Sequence, residues 1–188
     1  MENMSSANRG MLFAVGIVLA MPPAAWPAQG RNEFAASAGV GTLVVNNGGG
    51  VTPCFSLSYR FHLTEHLSVE GALDTFTYKL NVGPPPQPSI YRDGYVGAEA
   101  AAVYHLRSNR ETKRWIPFVA AGVGRTTTDF TEIPSTLYVR LGIGASYHFS
   151  ERIGVRMEIR DEIVQGLYSA GSPGGNLPSL RIGVVYRF

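Results

Sequence analysis

Cysteine is almost absent. Cys54 is the only thiol in 188 residues, which excludes an internal disulfide and a Cys-based zinc site. No Leu-x-x-Cys lipobox precedes it, so it reads as an incidental loop residue. Lysine is nearly as scarce: only Lys79 and Lys113 accompany 14 Arg. Arginine is always charged and presents a planar fork to carboxylates, so this bias favours enclosed ion pairs over a generally solvated surface. Charged residues make up only 16% of the chain, and 16 basic against 14 acidic ones are dispersed along it. That pattern excludes both a polybasic nucleic-acid surface and an acidic tail.

Long hydrophobic runs are also missing, with one exception. Met11 to Met21 is an apolar stretch of 11 residues behind Arg9, followed by PPAAWPA. It is too short to cross a ~30 Å hydrocarbon layer as a helix but suits the core of a signal peptide. Residues 1–28 are therefore expected to be an export leader, processed after Ala20, Ala25 or Ala28, and residues 29–188 a single mature domain. No second run predicts a transmembrane helix.

What the chain does have is glycine, 22 residues of it, and period-two alternation. Glycine is costly inside helices, so this abundance argues against a helical bundle. In Ser56–Leu63, Leu57, Tyr59, Phe61 and Leu63 share one face, while Ser56, Ser58, Arg60 and His62 share the other. Leu137–Phe149 repeats the pattern over a length unusual for a soluble strand but suited to a tilted membrane strand. Eight strands are predicted, roughly at 33–45, 55–63, 67–78, 94–106, 115–126, 137–149, 153–164 and 180–188. Short connections (64–66, 107–114, 150–152) alternate with long ones, as in an outer-membrane barrel with short periplasmic turns. Every even-numbered strand ends alike: Tyr59-Arg60-Phe61, Tyr104-His105-Leu106, Tyr147-His148-Phe149 and Tyr186-Arg187-Phe188. Tyr59, Phe61, Tyr104, Tyr147 and Phe149 are thereby expected to form an aromatic girdle at the short-turn interface.

The ending LRIGVVYRF, alternating to Tyr186 and Phe188, is similar to the C-terminal signature by which bacterial outer-membrane barrels are recognised for assembly. With WIPFVAAGVG at 115–124 and GVRMEIRDE at 154–162, the chain resembles the OmpA/OmpX-type family over nearly all of its mature length. The resemblance implies an all-β, closed, eight-stranded antiparallel up-and-down transmembrane β-barrel in the bacterial outer membrane, exported through the periplasm. Its implied partners are the barrel-assembly machinery, outer-membrane lipid and lipopolysaccharide. No peptidoglycan-binding segment follows the barrel pattern, so a tethering role is not expected.

If aliphatic residues face lipid, parity puts Arg60, Arg140, Arg156, Arg160, Arg181 and Arg187 in the lumen with Glu70, Asp74, Glu99, Glu158 and Glu162. Six charges against five suggest pairing rather than an ion-selective field, and eight strands leave room for side chains or one small ligand. An open pore is not expected. Strand five resists this reading because both parities are apolar or small; Arg125 favours the odd-numbered residues facing inward.

No catalytic, cofactor or metal residues are predicted. His148-Phe149-Ser150 is similar in spacing to a motif of lipid A deacylases, but the inferred topology puts it at the periplasmic end, away from the outer leaflet. Glu158 and Glu162 could imitate an acid/base pair, yet each has an Arg nearby in the pattern. His62, His66, His105 and His148 show no metal spacing. The rival readings are a lipid-modifying enzyme, deacylase or acyltransferase-like, and a lipocalin-like secreted carrier with its aliphatic faces inward. The loops at Asn46–Gly50, Asn81–Ser89 and Gly171–Asn176 are where an extracellular ligand would be met; the basic turn Arg107–Arg114 reads as solvated.

Overall fold

Alternating faces can be satisfied only if every strand finds two neighbours, and the chain achieves this by closing on itself. A computed structural model describes residues 32–42, 51–82, 89–109, 113–128, 137–164 and 175–188. Its long strands are β1 (Glu33–Thr42), β2 (Val51–His62), β3 (Leu67–Val82), β4 (Ser89–His105), β5 (Trp115–Thr128), β6 (Leu137–His148), β7 (Ile153–Val164) and β8 (Ser179–Arg187). Each pairs antiparallel with the next, and β8 returns to β1 through pairs such as Phe34 with Tyr186 and Ala36 with Val184. Closure leaves no open edge, the condition under which a sheet can sit in lipid with its backbone groups satisfied. A further two-residue pairing, Gly175–Asn176 against Val164 and Ile163, extends β7 before β8 begins.

The outward face is apolar. On β6, Leu137, Val139, Leu141 and Ile143 are all exposed, as are Ile182 and Val184 on β8. The lipocalin-like arrangement, with aliphatic residues inside, is the reverse of this one. Twelve residues at ~3.4 Å, tilted by ~40°, rise about 31 Å, enough to cross an apolar band about 25 Å tall. The seam between β1 and β8 is closed by small residues. A Cβ on Gly183 would collide with the Ala36 carbonyl and Ser37, and one on Gly39 with the Leu180 carbonyl.

Three expectations are corrected. β5 faces the opposite way: Ile116, Phe118 and Ala120 are buried inside, while Trp115, Val119, Val123 and Arg125 are exposed. Arg125 misled because it lies near the long-loop end of the strand, where a long charged side chain on the outward face can extend past the apolar band. Cys54 is not in a loop; it lies within β2, pairs with Gly39 and Phe76, and is fully buried on the lumen side. Finally, β3 runs on to Val82 and β4 starts at Ser89, so much of the connection expected at 79–93 is a paired ribbon. The leader and most of the expected loop ligand sites fall outside the described residues.

Candidate functional site: a charge-filled lumen

Strand register sets acid beside base. Directly opposite one another are Glu33 and Arg60, Glu33 and Arg187, Arg60 and Glu70, Arg140 and Glu162, and Glu158 and Arg181. Where a long charged residue needs space, its partner is small: Gly124 faces Glu99, Gly142 faces Arg160 and Gly183 faces Arg156. Cross-strand pairing therefore builds the network before any side chain reaches across the lumen.

Two layers result. Towards the long-loop end, Arg160 lies 2.9 Å from Glu99, 3.2 Å from Asp74 and 3.2 Å from Glu158. Arg181 holds Glu162 at 2.8 Å and also bonds Asp74. The Tyr138 hydroxyl donates to Glu99 at 3.1 Å. Towards the short-turn end, Glu70 receives Arg60 and Arg156, each at 2.8 Å, and Glu33 receives Arg156 at 2.9 Å and Arg187 at 2.7 Å. Arg140 joins the layers, contacting Glu70 at 3.0 Å, Glu158 at 2.5 Å and Glu99. Phe118 lies under Arg60 and Arg156, its centroid 4.7 and 5.8 Å from their guanidinium carbons, and Phe76 under Arg181 at 4.9 Å. Aromatic faces thus cover guanidinium planes that carboxylates leave open.

Among the described residues, six arginines and six carboxylates are buried inside. The sixth acid, Glu33, was missed, although Phe34, Ala36, Ala38 and Val40 alternate with it and place it inward by the same parity rule. Asp74, Glu99 and Glu162 converge, one oxygen of each within 4.8 Å of the others. Arg140, Arg160 and Arg181 contact these same carboxylates, so the cluster is part of the salt network.

The short-turn mouth is closed by a polar cluster that spacing did not reveal. Ser68 Oγ lies 2.6 Å from His62 Nδ1 and 3.1 Å from His105 Nε2, and Asn109 donates to His62 Nδ1 at 2.8 Å and to the Thr64 carbonyl at 3.0 Å. His62 Nε2 in turn faces Glu33 at 3.4 Å. Ser68, His62 and Glu33 therefore stand in the order of a hydrolytic triad, but all three are buried and Asn109 lies against the imidazole. His148 and Ser150 do not meet. His148 Nε2 accepts from Arg187 at 2.7 Å, whereas the exposed Ser150 hydroxyl accepts from the Ile153 amide at 3.0 Å.

The girdle residues lie at the short-turn end, Tyr104 and Phe149 exposed and Tyr59, Phe61 and Tyr147 half-buried. Trp115, Tyr147 and Phe149 pack in series, tilted and then edge to face, at 5.3 and 5.2 Å between centroids, while Tyr186 and Phe188 stack at 6.2 Å and Tyr59 meets Phe188 at 6.1 Å. Tyr186 and Phe188 are exposed on the closing seam.

A closed eight-stranded barrel with a largely apolar exterior, an aromatic girdle and charge concentrated in its lumen defines a transmembrane barrel of the bacterial outer membrane. The chain belongs to the outer membrane protein beta-barrel domain family, whose model matches residues 11–188. No curated protein sequence matches it. Among solved structures, it is similar to Neisserial surface protein A, with a TM-score of 0.63 and 15% identity over 84% of this chain and 97% of that one. The outer membrane protein OprG from Pseudomonas aeruginosa aligns with a TM-score of 0.59 and 12% identity, covering 87% of this chain and 97% of that one. The outer membrane enzyme PagL aligns with a TM-score of 0.51 and 16% identity, covering 80% and 97%. At these identities the likeness is one of fold.

Proposed function

We propose that this protein is a structural and surface-interaction barrel that supports envelope integrity, with a lumen closed by paired charges and no catalytic activity. The observation that carries this reading is the balance of six arginines and six carboxylates, interlocked from the Glu33 layer to the Asp74 layer. Among the described residues, a cavity of about 10 Å³ lies among Ser37, Ser56, Ser58 and the neighbouring arginines, room for about one water. A lumen that is neutral among the described residues offers neither a selectivity field nor a solute route there. Contacts with the barrel-assembly machinery through Tyr186 and Phe188, and with an extracellular ligand at the long loops, belong to the same proposal.

The test has two arms. In planar bilayers the refolded barrel is expected to give no sustained conductance; steady ohmic current would refute the closed lumen. Mass spectra of lipid A from cells with and without the protein are expected to match. Loss or gain of an acyl chain would favour the rival lipid-modifying enzyme, a fold-compatible activity given the likeness to PagL.

A further inference from the structure

The short-turn mouth is held by residues whose hydrogen-bond roles fix where their protons sit. Asn109, in the turn after β4, donates its backbone amide to the Glu65 carbonyl at 2.9 Å, and its side-chain Nδ2 to the Thr64 carbonyl at 3.0 Å and to His62 Nδ1 at 2.8 Å. The Thr64 contact fixes the orientation of the amide, and an amide nitrogen cannot accept. His62 Nδ1 is therefore a lone pair, and the ring proton sits on Nε2, facing Glu33 at 3.4 Å. The Ser68 hydroxyl, 2.6 Å from the same Nδ1, also donates to it and accepts from His105 Nε2 at 3.1 Å. His105 thus carries its proton on Nε2, and its buried Nδ1 has no hydrogen-bond partner among the described residues.

A second proton on either ring has no place in this arrangement. On His62 it would lie on Nδ1 and point at the Asn109 N–H, donor against donor; on His105 it would be a buried N–H without an acceptor, left to bear its own desolvation. Charge opposes it as well. The charged and titratable groups of this layer are Glu33 from β1, Arg60 from β2, Glu70 from β3, His148 from β6, Arg156 from β7 and Arg187 from β8, while β5 brings the uncharged Phe118 to 6.1 Å from His105. Glu33 already pairs with Arg156 and Arg187, and Glu70 with Arg60 and Arg156, so a proton would enter a layer whose carboxylates are engaged. Of the neighbouring turn, Glu65 and His66 are exposed, and His66 Nδ1 bonds the His105 carbonyl at 2.9 Å.

We propose that His62, Ser68, His105 and Asn109 form an acid-sensitive latch at the short-turn mouth, which ties Asn109 across the β2–β3 turn while both imidazoles are neutral and releases it when either is protonated. The released form takes up a proton that the latched form excludes, so acid favours release. The latch is held in full above the ordinary histidine range of about pH 6.5, and below it the latched-to-released ratio falls about tenfold per pH unit for each histidine kept neutral. The latch goes beyond the closed-lumen reading and does not depend on it.

The test follows hydrogen exchange of the Asn109 amide by NMR on the wild-type barrel refolded in detergent micelles, between pH 8 and 5, each rate divided by the intrinsic rate at that pH. Protection of Asn109 is expected to be constant from pH 8 to about 7 and to fall about tenfold or more from pH 6 to 5, while that of Ile143, in mid-strand β6, stays level. Imidazole nitrogen shifts at pH 7.5 are expected to show His62 and His105 both protonated on Nε2. H62Q/H105Q, which keeps polar side chains that do not titrate, is expected to lose the pH dependence. N109D exchanges the donor for a carboxylate that accepts from a protonated His62, and is expected to reverse its direction. A flat response of wild-type Asn109, a parallel fall at Ile143, a His62 proton on Nδ1, or an unchanged slope in the double variant would each overturn the latch. Conductance at pH 7.5 bears on the closed lumen alone: a non-conducting barrel with no acid response at Asn109 loses only the latch.

Discussion

Replacing Arg140 by methionine removes one positive charge from a balanced set while keeping most of the side chain's volume. Arg140 is fully buried and contacts Glu70, Glu99 and Glu158. None of the three is left without a guanidinium: Glu70 retains Arg60 and Arg156, and Glu99 and Glu158 retain Arg160. Removing one partner of a dry buried pair costs roughly 3–5 kcal/mol, and this residual pairing sets the expected loss near the lower end, about 3 kcal/mol. In a water-filled lumen the loss would be on the order of 1 kcal/mol, since a unit pair at about 4 Å in bulk water is worth no more. Urea unfolding in lipid vesicles, followed by Trp fluorescence and by the folded fraction on unboiled gels, separates the two. Adding E158Q to R140M restores neutrality and is expected to recover part of the loss. An R140M barrel within about 0.5 kcal/mol of wild type would refute the claim that the pairs sit in a water-poor interior.

Other substitutions probe other parts of the account by the same unfolding measurement. G183A, which drives a methyl into the Ala36 carbonyl at the β1–β8 seam, is expected to cost roughly 1–3 kcal/mol. G71A is expected to be nearly neutral, because its Cβ would meet only the Glu99 carbonyl, at 3.9 Å. F118L keeps an apolar side chain under Arg60 and Arg156 but loses the ring face, an expected cost of about 1–2 kcal/mol. Combining Y186A with F188A is expected to lower the amount of heat-modifiable barrel in outer membranes while leaving refolding of purified protein intact; equal levels in membranes would argue against an assembly role for these residues.

Parity carried most of the architecture because lipid imposes it strictly. Leu137–His148 alternates without a break and Ile153–Glu162 breaks only at Asp161, and a one-residue slip would turn Arg140 or Glu158 out into hydrocarbon. β5 escaped because Ile116–Gly124 offers no charge to mark its inner face; what orients it is Phe118, whose partners Arg60 and Arg156 lie on β2 and β7. Such a contact, between strands far apart in sequence, leaves no local signal. The Ser68, His62, His105 and Asn109 cluster was hidden for the same reason: four residues from two strands, a turn and another strand end meet only once the barrel closes. Cys54 was misread because β2 begins at Val51, within a stretch where Pro53 and the preceding glycines read as loop.

The central claim is that the lumen is closed to water, and the chain's own cysteine tests it without any substitution. Cys54 is fully buried inside β2, near the layer formed by Asp74 and Arg181. A water-soluble maleimide applied to the folded, heat-modifiable barrel in vesicles is expected to leave Cys54 unmodified, with labelling appearing only on unfolding. Labelling of the folded barrel at the rate of the unfolded chain would contradict a closed lumen.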